Sequence, residues 1–137
     1  LGLEGAFVEH TAWYDELPAP YFVDADEELF DLFKDSVREG ITIAAPGFYA
    51  PQGRWVRLCP HDMHLNEKIE SFRFGERRIT NFEMEGSALQ GLARLMGHRA
   101  ATICTIIAQR VAKDACTDYK PFVRRMIEMA LDKLSTL

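Results

Sequence analysis

Two stretches limit what this chain can become. Residues 41–45 form a short apolar, β-branched run, and residues 99–108 form a longer one. A strand with one wet face alternates apolar and polar residues. A run without that alternation reads as a strand covered on both faces, as in sheets with helices on either side. Helix-period segments surround these runs. Residues 26–38 place Leu29, Phe30, Phe33 and Val37 on one face, with Asp24 or Asp26 as N-cap and Gly40 as the stop. A weaker helix is expected over residues 65–72, a short strand over 78–82 and a clearer helix over 84–96. In that helix Ala88, Leu89, Leu92, Leu95 and Met96 keep helical spacing, and Gly97 follows. A last helix starts at Asp118 or a neighbour and runs to about residue 134, with Phe122, Met126, Ile127, Ala130 and Leu134 as its buried stripe. The opening, through Pro18-Ala19-Pro20, reads as irregular, with at most one short helix or strand. Strands alternating with helices predict an α/β domain, a layered mixed sheet flanked by helices.

Composition narrows the class. The 137 residues suffice for one domain, which at this size buries roughly 68% of the surface its unfolded chain exposes. Sixteen basic against twenty-one acidic residues leave a net charge of −5, which argues against a nucleic-acid partner. No apolar stretch reaches the length of a membrane span. Of the three cysteines, Cys104 lies in an apolar run and reads as a buried free thiol, and unpaired thiols suit a cytoplasmic protein. The chain opens Leu1-Gly2-Leu3, with neither an initiator methionine nor a signal segment, and is expected to start mid-protein.

Three places could carry chemistry. In Asn81-Phe82-Glu83-Met84-Glu85-Gly86 two carboxylates flank a methionine where a strand gives way to a helix. Ligands of open α/β sheets bind at the carboxyl ends of strands. A carboxylate accepts two hydrogen bonds at once and can grip a vicinal diol such as ribose. The same acidic pair also suits the positive end of the following helix. After the first apolar run, the loop Pro46-Gly47-Phe48-Tyr49-Ala50-Pro51-Gln52-Gly53-Arg54 holds two aromatics, an amide and a guanidinium. Those groups can stack on a planar ring and read its carbonyls and N–H, or simply plug the edge of the core. Arg110 follows the second apolar run, where a crevice would also open. The segment His61-Asp62-Met63-His64, near Cys59, has zinc-like letters but no second ligand cluster, so no metal is assigned.

Taken together, these segments resemble the nucleoside phosphorylase family that includes uridine phosphorylases and hexameric purine nucleoside phosphorylases. Residues 79–85 and the helix after them look like that family's Met-Glu ribose motif. Residues 47–54 resemble the Gln-x-Arg uracil loop of its uridine branch, and the likeness runs from about residue 7 to 134. It implies phosphorolysis of a nucleoside: phosphate attacks the anomeric carbon of an oxocarbenium-like sugar as the base departs. By this likeness Glu85 accepts the ribose hydroxyls, Met84 packs on the sugar and Glu83 shapes the pocket and its phosphate side. Phe48 packs on the ring, Gln52 pairs with the uracil edge, and Arg54, helped by Arg110, stabilises charge on the pyrimidine carbonyl. Glu85 and Arg54 are the catalytic candidates. The purine branch carries an aspartate after the strand that here ends Ile107-Ala108-Gln109-Arg110, so a pyrimidine is favoured, uridine before thymidine.

Members of the family are about twice as long. The chain is therefore expected to be the C-terminal portion, residues 1–137, of a single phosphorylase domain. The upstream half would bear the phosphate loop, and the sheet would expose an edge. The resemblance implies no cofactor, with inorganic phosphate as co-substrate, and a homo-oligomer, a dimer or a trimer of dimers. The alternatives are a nucleosidase of the same fold, using water in place of phosphate, and a non-catalytic nucleoside-binding module.

Overall fold

The computed structural model describes residues 1–109 and 114–137. The elements in chain order are α1 (Leu3–Thr11), α2 (Glu27–Phe33), β1 (Ile41–Ala44), a 3-10 turn (Ala50–Gln52), α3 (Leu65–Ser71), β2 (Arg73–Phe74), β3 (Arg77–Glu83), α4 (Gly86–Leu95), β4 (Ala108–Gln109), β5 (Asp114–Ala115) and α5 (Lys120–Leu134). This is the expected mixed α/β arrangement, consistent with a nucleoside phosphorylase-like fold.

A three-stranded sheet of order β1-β3-β2 organises it. β1 runs parallel to β3, and β2 returns antiparallel to β3 as a tight hairpin. β1 is an edge of this sheet, with its outer side unpaired among the described strands. The parallel pair carries one irregularity: Ile41 faces Ile79 but Thr42 faces Asn81, so Thr80 is the extra residue on β3. A Cβ on Gly40 would sit 2.2 Å from the Thr80 side chain. Gly40 therefore makes room for the bulge rather than ending a helix.

The core lies on one side of this sheet. Phe7 of α1, Ile69 and Phe72 at α3, and Ile41 of β1 are its buried centre, with Leu3, Trp13, Phe22, Ile79 and Phe82 packed around them. Phe72 meets Phe7 edge-on, with ring centroids 5.3 Å apart, the geometry the ring quadrupoles favour. The accessible surface is 10266 Å², whereas a folded monomer of 15.6 kDa exposes about 7,250 Å² by size scaling. The excess decides how the helices must be read. Much apolar surface stays uncovered.

Several expectations need correction. The helix expected over 26–38 begins as read, with the Asp26 side chain accepting from Leu29 N–H, but it ends at Phe33. The strand expected over 99–108 is absent. Residues 101–107 have no regular structure, and only Ala108–Gln109 pairs, in an exposed two-residue ladder with β5. The reason is the lack of a neighbour: apolar residues make a strand only where another strand offers its backbone. Here side chains hold the segment instead. Gln90 Nε2 donates to Thr102 Oγ1 and Thr105 Oγ1 donates to Met126 Sδ. The stripe on α5 exists in the sequence but is not buried; Phe122, Ile127 and Leu134 are exposed, and Met126 and Ala130 only half-buried. On α4 Leu89, Leu92, Leu95 and Met96 are likewise exposed. Cys104 is a free thiol but only half-buried. No helix of the described residues is long and apolar enough to cross a membrane.

Truncating the most buried large side chain should test this core. Phe72→Ala is expected to cost about 3–5 kcal/mol in equilibrium urea unfolding. A loss under about 1 kcal/mol would contradict the core placed here.

Candidate functional site

The parallel register brings two chain exits together. Ala44 pairs with Glu83, and Ala45 N–H donates to Glu83 O at 2.9 Å just past the ladder. Both strands run the same way, so the loop leaving β1 and the turn leaving β3 emerge at one edge of the sheet. The first carries Phe48, Gln52 and Arg54. The second carries Glu83, Met84 and Glu85.

The β1 loop is built to hold its polar groups in fixed places. Pro51 lies inside the 3-10 turn, where its locked φ is compatible and no N–H is wasted. Gly53 follows at φ 69, a left-handed conformation that glycine adopts without a Cβ penalty. That reversal lets Arg54 fold back on its own loop. Arg54 Nη1 donates to Phe48 O and to Gln52 Oε1, each at 2.7 Å. Its guanidinium also lies 3.9 Å over the Phe48 ring, within cation–π range. Gln52 is buried, Arg54 half-buried, and Phe48 and Tyr49 open to solvent. The structure thus gathers Phe48, Gln52 and Arg54 into one cluster, with the Gln52 amide oxygen turned toward the arginine.

At the β3 turn the two glutamates behave differently. Glu83 Oε2 accepts from the backbone N–H groups of Glu85 at 2.8 Å and Gly86 at 2.6 Å. It therefore holds the start of α4, where amides lack helical partners. Its Oε1 is buried and has no hydrogen-bond partner among the described residues. Glu85 is the N-cap residue and is exposed, as is Met84 beside it. The helix-supporting reading holds for Glu83, while Glu85 presents a carboxylate to solvent. Arg110 lies outside the described residues.

Cys104 approaches this turn from the 101–107 segment. Burial pushes its thiol above the ordinary range, the Asn81 amide pulls it back, and the Glu83 carboxylate adds to the rise. Such a thiol stays protonated and unreactive near neutral pH. The loop at residues 59–64 is tied down by other means. His61 stacks on Tyr14, and Asp62 pairs with Lys68 at 2.7 Å, which holds the Asp62 carboxyl below its usual range. Among the described residues no group of three or more His, Cys, Asp or Glu is placed to hold a metal ion.

Reading residue types missed three contributors. Asn66 of α3 lies against Gly53, Thr102 lies against Gly86, and Thr42 bonds Asn81 across the strand pair. None has a sequence signal, because each acts through a contact between distant segments.

Comparison with known proteins gives the family. The family model described as Phosphorylase superfamily matches residues 4–136. A uridine phosphorylase of Thermococcus kodakarensis is 35% identical over 75 residues, which are 55% of this chain and 26% of that protein. Uridine phosphorylase A of Schistosoma mansoni is 38% identical over 84 residues, 60% of this chain and 28% of that protein. A protein of the same organism named inactive uridine phosphorylase B is 34% identical over 94 residues, 61% of this chain and 28% of that protein. The matched stretches therefore span under a third of these relatives' lengths. No solved structure matches the chain significantly.

The loop after β1 offers a direct test. A Cβ at Gly53 would sit 2.2 Å from Asn66 Nδ2 and would be strained at φ 69. Gly53→Ala should therefore lower unfolding stability by at least about 1 kcal/mol, the left-handed penalty alone. An unchanged urea midpoint would show that the loop is not held as described.

Proposed function

The chain belongs to the phosphorylase superfamily, and on that premise we propose that it supplies the base and ribose contacts of an enzyme that splits a pyrimidine nucleoside with inorganic phosphate. Uridine is the favoured substrate, before thymidine. One observation carries the reading: the Ala44–Glu83 register sets the Phe48–Gln52–Arg54 cluster and the Glu83–Met84–Glu85 turn on one edge of the sheet.

The reaction joins a phosphate oxygen to C1′ as the C1′–N1 bond breaks. The bonding pair leaves on N1, and the departing base takes a proton from solvent. Negative charge spreads over the uracil carbonyls, and positive charge gathers on the sugar. Arg54 supplies donors to the carbonyl side, and the Glu85 carboxylate accepts from the two ribose hydroxyls and faces the cationic sugar. Both act by position and charge rather than by covalent bonds. Gln52, oriented by Arg54, reads the edge of the base, Phe48 covers its face, and Met84 packs on the sugar. Glu83 positions the turn, and its Oε1, without a partner among the described residues, remains for the phosphate side of the pocket. Arg110 joins the base contacts in the same proposal. No cofactor is required, since phosphate is the second substrate.

Self-association into dimers or a trimer of dimers belongs to this reading, supported by the uncovered apolar faces of α4 and α5. A cytoplasmic setting is supported by three unpaired thiols. The relative named inactive gives weight to a second reading, a nucleoside-binding module without turnover.

Uracil release from uridine by the full-length protein separates these readings. Phosphate-dependent release is expected; release without phosphate would indicate hydrolysis, and binding without release the non-catalytic module. Glu85→Ala should lower kcat/KM for uridine about 100-fold, the cost of losing charge-assisted bonds to two hydroxyls. Unchanged cleavage would remove Glu85 from the ribose site.

A further inference from the structure

The strand pair that carries the site has a polar face where a purely structural sheet would be apolar. Thr42 Oγ1 donates to Asn81 Oδ1 at 2.9 Å, directly across the β1–β3 register. Thr80, the bulged residue, donates to the same oxygen at 3.0 Å and to Ile41 O at 3.4 Å. Side chains two apart on a strand share a face, so Asn81 and Glu83 point the same way. Asn81 Nδ2 is buried and interacts with the Cys104 thiol. Beyond it the layer continues into the chain's other segments. Cys104 lies by Asn81 and Glu83, Glu83 holds the amides of Glu85 and Gly86, and Thr102 sits against Gly86 while accepting from Gln90 of α4.

Burying such groups costs free energy that Val or Ile at these positions would not. A hydrogen-bonded layer instead admits few arrangements of the elements it joins, where an apolar one tolerates sliding. The elements joined here are the strand feeding the base loop and the strand feeding the ribose turn.

We propose that Thr42 and Asn81 are positioning residues that fix the spacing between the base loop and the Glu85 carboxylate, so that they act on a whole nucleoside and not on either half alone. This rests on the nucleoside reading above. Neither residue touches the substrate. Thr42 sits at the middle of β1, two residues before Ala44, and it reaches the ribose turn only through Asn81 and Glu83.

The test compares two ligands on the full-length protein by titration calorimetry, uracil alone and uridine. Thr42→Val keeps the side-chain shape and removes the hydroxyl. Uracil affinity should stay within about twofold of the parent and uridine affinity fall about tenfold, the worth of one misplaced hydrogen-bonding group. Thr42→Ser restores the donor and should restore uridine affinity. A purely structural role would not produce this split, because loss of fold weakens both ligands together. If Thr42→Val fails to fold, Asn81→Leu nearly keeps the volume, removes the acceptor of the Thr42 bond and should show the same split. Equal weakening of both ligands, or none, beside a parent that binds both would overturn the inference and leave the nucleoside reading standing. A parent that binds neither would overturn both.

Discussion

The parallel pairing of β1 with β3 is the contact on which everything else depends. Its register fixes Ala44 opposite Glu83, and two loops far apart in sequence then leave the sheet side by side. A slip of one residue would turn the Asn81–Glu83 face over and send the carboxylates to the side where Phe82 packs. The register is held by more than the ladder. The bulge at Thr80, the room at Gly40 and the Thr42–Asn81 bond are each specific to one alignment.

From that register the two halves of the site acquire different kinds of rigidity. The loop after β1 is closed on itself: a 3-10 turn, a left-handed glycine and an arginine that bonds Phe48 and Gln52. The turn after β3 is braced from below, with Glu83 binding two amides so that Glu85 stands at the tip of a helix. One carboxylate is used for structure and the next is open to solvent. Preorganisation of this kind removes the ordering cost that flexible side chains would impose at the moment of binding.

How much of this was legible in the sequence follows from the range of the forces involved. The helices at α3, α4 and α5, the cap at Asp26 and the strands at β1 and β3 depend on near neighbours and could be read. The association of Phe48, Gln52 and Arg54 was legible too, because they lie within one turn of each other. Residues 101–107 were misread because an apolar run becomes a strand only beside another strand, which a linear pattern does not record. The stripe on α5 was visible, but its burial depends on what lies against it, and the described residues cover it only in part. Thr42, Asn66 and Thr102 look like ordinary strand, helix and loop residues until their distant partners are known.

The proposed function requires base and sugar to be read from one edge of the sheet by groups from two strands. The most direct measurement is a crystal structure of the full-length protein with uridine and sulfate. Glu85 should bond both ribose hydroxyls, with Gln52 and Arg54 on the uracil edge of the same molecule. Uridine lying elsewhere, or touching one of these groups while the other faces away, would contradict it.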